Sequence, residues 1–407
     1  MSTRSSYGAK AATLITVAGL PGSASTWAYN AVKLLLENCY PRVYSTYSDD
    51  LNDALCDAVV SYDVVLIKSH VPRKQLAALN AISKGFVVVT VRDPRDAIVS
   101  LMQRFGFDFE IAFRKVLESL RAIDAMCKGE SVVLLRYEDH FTASPATIMR
   151  LAEELGVKAS TAFCNDLFDS LRPAMVRERI QELRNEGRIL EGSDDSERFD
   201  PDSHWHLGHV GDGAINKYMG YLNAAEIRLT DIATRDFCNL YNYDLIYRGI
   251  ELGTNITFGA LGVGSACITE GSYEQEPWGI WTQSDKTVLT IYVVTPPPSE
   301  TATVSVRIDC ATSPEFRLPA SKAEVRIFVD GICVADLQAC ESVPETLSFL
   351  SCRHAYPDSQ KGLEIVFQHV NVKGLHYYGL SADKRPIGVA LNAVVIDSPQ
   401  RVRHAAP

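Results

Sequence analysis

The sequence has no cysteines at Cys-x-x-Cys spacing, no basic block and no internal repeat or low-complexity tract. It also has no apolar run near the ~20 residues that a membrane-spanning helix needs. Its ten cysteines are scattered irregularly through 407 residues. That spacing signals neither a zinc ribbon nor a dithiol redox motif; five cysteines after Ile250 leave room for one or two disulfides, and the simplest expectation is reduced thiols in a cytoplasmic protein. Positive charge is in short supply too. Forty Lys and Arg face fifty Asp and Glu, a formal net charge of −10. A general nucleic-acid binder or a protein that coats anionic membranes is thereby excluded. Any anion site must be a local device, such as a helix end with a few placed cations. The stretch from Ala11 to Leu20 could pass for the core of a signal peptide. However, Thr13 and Thr16 interrupt it, and it runs into Gly19-Leu-Pro-Gly22 without a cleavage site, so it reads as a buried strand.

What remains is ordinary globular material, with 46% apolar and 22% charged residues, in a chain long enough for two domains. Thr13–Ala18, Val64–Lys68, Phe86–Val91 and Val132–Leu135 are short runs rich in Val, Ile and Leu. Consecutive apolar positions predict strands covered on both faces of a parallel sheet. Helical periodicity lies between them, over Thr26–Glu37 and Phe109–Met126. A third helix opens at Ser144-Pro145 and ends near Leu155-Gly156. This alternation is an α/β domain with a central parallel sheet in a P-loop-like three-layer arrangement, assigned to residues 1–250.

After about Ile250 the pattern changes to period two. Val304, Val306 and Ile308 alternate with polar residues, as do Val325, Ile327 and Val329, and Asp330-Gly331 supplies a hairpin turn into Ile332. Gly362–Val370 and Ile387–Asp397 are further strand candidates, and Pro296-Pro297-Pro298 is a breaker. Residues 256–407 therefore read as an all-β sandwich, with the domain boundary placed at Leu252–Phe258. The loop Glu191–Asp202, with Asp194, Asp195, Asp200 and Asp202, reads as solvated and carries no assigned role.

The chemistry concentrates in Ala18-Gly-Leu-Pro-Gly-Ser-Ala-Ser-Thr-Trp27, which follows a strand and opens a helix. That arrangement aims unpaired backbone N–H groups and the positive helix end at one point. The Gly-Lys-Ser/Thr ending of a nucleotide-hydrolysing P-loop is absent, which argues against an ATP-dependent kinase. Three more motifs end predicted strands: Lys68-Ser-His70, Arg92-Asp-Pro-Arg-Asp96 with Ser100, and Arg136-Tyr-Glu-Asp139. In an open parallel sheet they converge with the Gly19–Trp27 loop on the carboxyl edge, as a site for a doubly phosphorylated nucleotide would require.

Taken in order and spacing, these four motifs resemble the sulfotransferase family over roughly residues 13–245. That family moves a sulfuryl group from 3′-phosphoadenosine 5′-phosphosulfate (PAPS) to an acceptor. The resemblance implies that Gly22, Ser23, Ala24, Ser25 and Thr26 cradle the 5′-phosphosulfate, with Trp27 stacked on adenine. It implies Arg92 and Ser100 at the 3′-phosphate and Tyr137 beside the adenine. His70 would be the catalytic base, with Lys68 a cation near the transferred group. His206-Leu-Gly208-His209-Val-Gly-Asp212 stands where the family has the Arg-Lys-Gly-x-x-Gly-Asp segment that closes over the 3′-phosphate.

Two departures remove positive charge. Gly22 stands where the family has Lys or Arg, and His206-Leu207 replaces the Arg-Lys pair. Lys68 is therefore the candidate for stabilising the bridging oxygen. The alternative reading is a sulfotransferase-like binding protein without turnover. No metal is expected: His204-Trp-His206-Leu-Gly-His209 lacks the spacing and partners of a zinc site and reads as a closing loop. Glu276-Pro-Trp278-Gly-Ile-Trp281 resembles a signature of β-domains appended to bacterial polysaccharide-handling enzymes, the tryptophans serving either as a sugar platform or as core. By that analogy the acceptor is expected to be a hydroxyl of a glycan or glycolipid.

Overall fold

The computed structural model describes residues 12–52, 62–127, 131–189, 199–208, 210–259, 262–283, 285–294, 303–355, 357 and 361–398. Pro296–Pro298, Asp194 and Asp195 lie outside them. The chain divides into two compact units, Met1–Asn223 and Ala224–Pro407.

In the first unit, strands and helices alternate: β1 (Thr13–Gly19), α1 (Ser25–Cys39), β2 (Val43–Tyr47), β3 (Val64–Ser69), α2 (Lys74–Ser83), β4 (Phe86–Val91), α3 (Pro94–Phe105), α4 (Phe109–Met126) and β5 (Val132–Arg136). Helices α5 (Pro145–Glu154), α6 (Thr161–Ser170), α7 (Pro173–Asn185) and α8 (Tyr218–Tyr221) follow. The five strands pair in the order β2-β3-β1-β4-β5, every pairing parallel. Both faces are covered. Ile15 and Val17 of β1 share a core with Ala28 and Val32 of α1, whereas Leu14 packs with Val65, Ile67 and Leu76 of α2 on the other face. Burying such a Val, Leu or Ile side chain stabilises by about 1.5–3 kcal/mol. That explains why these strands are apolar at consecutive positions.

The strand missing from the sequence reading is β2. Val43–Tyr47 is half-exposed at the sheet edge, so its Tyr-Ser-Thr-Tyr composition carries no buried-strand signal. Helix ends follow local chemistry. Asp93, Asp108, Ser144 and Ser160 cap α3, α4, α5 and α6 through their side chains.

The second unit begins with α9 (Ala224–Ala233) and α10 (Arg235–Leu240), ahead of the expected boundary. Ile232 of α9 and Ile250 belong to the sandwich core, and buried Asp231 accepts the amides of Ile246 and Tyr247. The segment read as the domain boundary contains a strand, β6 (Asn255–Thr257), paired with the last strand (Val389–Asp397) and burying Ile256. The rest is two antiparallel sheets facing a common core. The Asp330-Gly331 turn joins Glu324–Val329 to Ile332–Gln338 with both turn residues at positive φ, as a two-residue hairpin needs. Among the described residues no helix is long and apolar enough to cross a membrane.

Candidate anion site at the carboxyl edge of the parallel sheet

Because the five strands are parallel, their carboxyl ends share one edge, and the order reverses between β1 and β4, the switch point at which sheets of this kind place their ligand crevice. Register brings Tyr47 beside Lys68 and Gly19 beside Thr90. All four sequence motifs reach this edge.

The loop from β1 to α1 is tight and lies in the crevice. A Cβ on Gly19 would come 2.2 Å from Thr90 Oγ1 and 2.4 Å from Ser25 Cβ, so only glycine fits. Gly22 has φ +77°, and a Cβ there would lie 2.7 Å from Ser100 Oγ. Ala24 then turns through a left-handed conformation (φ 62°) and leads into α1 without a side-chain cap. Consequently the amides of Ala24, Ser25, Thr26 and Trp27 donate to no group among the described residues. Uncapped first-turn amides, with the positive end of a fifteen-residue helix, make a receptor for an anion.

The hydroxyls around this turn have separate tasks. Ser23 is fully buried: its Oγ donates to the Leu20 carbonyl at 2.5 Å and lies 2.6 Å from Thr90 Oγ1, locking the loop to β4. Ser25 and Thr26 are on the first helical turn, and Thr26 Oγ1 accepts from Lys68 Nζ at 2.6 Å. Trp27 sits in the hydrophobic core, edge-on to Phe141 at 5.6 Å, with its indole N–H unbonded among the described residues.

Lys68 ends β3 with its ammonium buried beside that turn and 5.8 Å from the centre of the Tyr47 ring. Burial, assisted by the Arg104 charge, lowers its pKa to about 7. His70 follows at half-buried depth. Its Nδ1 meets the Gly19 carbonyl at 2.6 Å; a carbonyl only accepts, so Nδ1 carries the proton and neutral His70 presents an unprotonated Nε2. Burial, then Lys68, hold its pKa down to about 4, so the ring is neutral near pH 7. Asp49 Oδ1 accepts the amides of His70 (3.1 Å) and Val71 (3.0 Å), fixing the strand end. Ser119 of α4 donates to the His70 carbonyl at 2.7 Å.

On the β4 side, the buried Arg92 guanidinium donates to the carbonyls of Gly22 (3.0 Å) and Ala214 (2.6 Å), and its plane stacks 4.3 Å from the centre of the Tyr137 ring. Its Nε has no partner among the described residues. Among the described residues its one carboxylate contact is long, 3.4 Å to Asp96. Asp96 accepts the amides of Asn216 (2.7 Å) and Tyr218 (3.0 Å), which pins the segment after Asp212 over Arg92. Arg95, by contrast, is fully paired with Asp93 at 2.6 Å.

Basic groups crowd this edge. Burial, followed by repulsion from Arg104, Lys68 and His70, lowers the His206 pKa to about 3, and burial lowers Arg104 to about 10. Neighbouring positive groups that depress one another are relieved by a bound anion.

The structure thus brings Gly22, Ser25, Thr26, Lys68, His70, Arg92, Ser100 and Tyr137 to one rim. Ser23 and Trp27 face inward, Gly208 is exposed at φ +48°, and His209 lies outside the described residues. The sequence reading missed Tyr47, Asp49, Thr90 and Arg104, and gave Asp96 no role. Arg104 had a usable signal, being one helical turn beyond Ser100 on the same face of α3. Tyr47 and Asp49 had none, because they depend on the unforeseen strand β2.

Fold and site together define a three-layer α/β unit with an uncapped helix start at its switch point. No family model matches the chain, and no curated protein does. Among solved structures, retinol dehydratase bound to androsterone and the inactive cofactor PAP is similar at 19% identity, covering 59% of this chain and 84% of that one, with a TM-score of 0.40. Mouse sulfotransferase SULT7A1 complexed with PAP is similar at 12% identity, covering 57% and 89%, with a TM-score of 0.42.

Proposed function

We propose that the chain is a sulfotransferase that moves the sulfuryl group of PAPS to an acceptor hydroxyl, giving a sulfate ester and adenosine 3′,5′-bisphosphate (PAP). The observation that carries this reading is the uncapped entry of α1, flanked by buried Lys68 on one side and by Arg92 with its unbonded Nε on the other. Two separate anion-binding positions suit a nucleotide phosphorylated at both 5′ and 3′ positions. The first-turn amides with Ser25 and Thr26 would hold the 5′ end, and Arg92, Ser100 and the adjoining Tyr137 the 3′ end.

PAPS supplies the activated sulfuryl group; the chain's own residues orient the partners and move the proton. The acceptor oxygen attacks sulfur in line. Its bond to sulfur forms as the bond between sulfur and the phosphate oxygen breaks, and the hydroxyl proton passes to His70 Nε2. That base is already in the required tautomer through the Gly19 carbonyl, and a positioned base contributes roughly 10²–10⁴-fold. Lys68, beside the α1 entry, would stabilise the charge growing on the departing phosphate oxygen, the task that a loop cation at Gly22 would otherwise share.

The missing loop cation favours a second reading, nucleotide binding without turnover. One assay separates the two: PAP released from PAPS in the presence of a panel of hydroxyl acceptors, with wild type and His70→Ala. Acceptor-dependent release that falls at least 100-fold in the variant supports transfer. PAP binding with no release from any acceptor supports the binding protein, and ATP competing as well as PAP would overturn both.

A further inference from the structure

Asp96 of α3 is completely buried, and among the described residues no cation comes closer to it than 3.4 Å. Burying a carboxylate is costly unless its oxygens are hydrogen-bonded. Two backbone amides meet that need: Oδ2 accepts from the Asn216 N–H at 2.7 Å, and Oδ1 accepts from the Tyr218 N–H at 3.0 Å. The cation at 3.4 Å is Arg92, whose Nη2 faces the same Oδ2; Asp93 and Arg95 meet at 2.6 Å. Oδ2 is therefore shared. Committed to its shorter bond with Asn216, it orients the Arg92 guanidinium without closing on it as a full ion pair.

The segment that Asp96 holds belongs to the same site. Arg92 Nη2 donates to the Ala214 carbonyl at 2.6 Å, two residues before Asn216. Asn216 has φ 59°, a conformation that persists only where neighbouring bonds hold it. A Cβ on Gly213 would stand 4.0 Å from Tyr137 Oη, and the Tyr137 ring in turn stacks on Arg92. Arg95 lies over the Tyr218 ring, 4.1 Å from its centre. One buried carboxylate thus ties Arg92 to the turn that touches it. Ser100 stands one helical turn further along the same face of α3.

We propose that Asp96 is the positioning residue of the 3′-phosphate site, and that its bonds to Asn216 and Tyr218 set how strongly the protein prefers a 3′,5′-bisphosphorylated nucleotide to a 5′-monophosphate. This rests on the sulfotransfer reading, in which Arg92 and Ser100 take the 3′-phosphate. Asp96 itself touches no ligand, since a carboxylate only accepts hydrogen bonds and repels phosphate. It acts by fixing Arg92 and the Ala214–Asn216 turn while leaving most of the guanidinium charge for the nucleotide.

The test uses the full chain, PAP and 5′-AMP as probes, and the shape-conserving variant Asp96→Asn, whose single amide oxygen cannot accept from both N–H groups. The wild type should bind PAP more tightly than 5′-AMP. The variant should keep its affinity for 5′-AMP, which is held at the α1 entry, and lose about tenfold or more for PAP, the worth of one charge-assisted hydrogen bond. Equal losses for both nucleotides would make Asp96 merely structural, and an unchanged preference for PAP would remove it from the site; either result overturns the proposal. Should the variant not fold, the wild type decides: its Asn216 and Tyr218 amides, followed by ¹H–¹⁵N correlation spectroscopy, should shift with PAP and stay in place with 5′-AMP. Equal shifts with both overturn the proposal. All these outcomes leave the wild-type preference for PAP intact; a wild type that binds PAP no better than 5′-AMP overturns the sulfotransfer reading, and this proposal with it.

Discussion

Helices α1 and α3 start from neighbouring parallel strands at the same edge of the same sheet, yet their first turns are finished in opposite ways. At α3, Asp93 caps the helix, its side chain accepting the Arg95 amide at 2.9 Å and pairing with the Arg95 guanidinium at 2.6 Å. Charge and amides are satisfied inside the chain. At α1, Ala24 offers no side-chain cap, and the buried cation beside the turn, Lys68, meets the neutral hydroxyl of Thr26 and the Tyr47 ring, and no carboxylate among the described residues. The first arrangement is what stability asks for; the second leaves both donors and charge for something from outside. The comparison separates a helix start that is finished inside the chain from one that is left open.

Removing the α3 cap should have the largest effect. Asp93→Ala leaves the buried Arg95 without its carboxylate, and breaking such a pair costs about 3–5 kcal/mol. Denaturant unfolding should register that loss; a change below 1 kcal/mol would mean that α3 does not depend on its cap. Lys68→Ala tests the other side. It should lower kcat by about 10²–10³-fold while PAP still binds. Unaltered turnover would remove Lys68 from the chemistry.

The two ends should also differ in pH response. Without nucleotide, the Lys68 pKa is lowered from 10.5 to about 7, so the unfolded chain binds more protons between these values. That group therefore makes the free protein more stable as pH rises from 7 towards 10.5. A bound anion favours the charged form. PAP binding should thus take up as much as one proton above pH 7, and affinity should weaken by up to about tenfold per pH unit. Calorimetry in buffers of different ionisation enthalpy measures this uptake, and zero uptake at pH 8 would refute it. The smallest effect belongs to Ala24→Gly. Relieving the left-handed alanine should stabilise by at most about 1 kcal/mol and leave PAP affinity unchanged. A destabilised variant would show that the turn is not strained at Ala24.

Much of this was legible beforehand because it follows from local rules. Buried parallel strands announce themselves as Val-Val-Leu-Ile runs, and Pro145 and the Asp330-Gly331 turn mark their elements through backbone chemistry. The strand-end motifs predicted convergence because parallel topology admits no other outcome. What remained hidden depends on tertiary context. The edge strand β2 is half polar, so Tyr47 and Asp49 could not be placed. Likewise, nothing in the sequence tells that the Ser23 hydroxyl turns inward to Leu20 and Thr90, or that the His204 ring is buried with no hydrogen-bond partner among the described residues. The unit boundary shifted because α9, helical and amphipathic, supplies Ile232 to a β-sandwich core.

The most direct test follows backbone amides by ¹H–¹⁵N correlation spectroscopy while PAP is added. The amides of Ser25, Thr26 and Trp27 should move markedly as they gain an anionic acceptor, and those of Arg95 and Ile111, already capped by Asp93 and Asp108, should stay within the linewidth. Motionless α1 amides at saturating nucleotide would contradict the account.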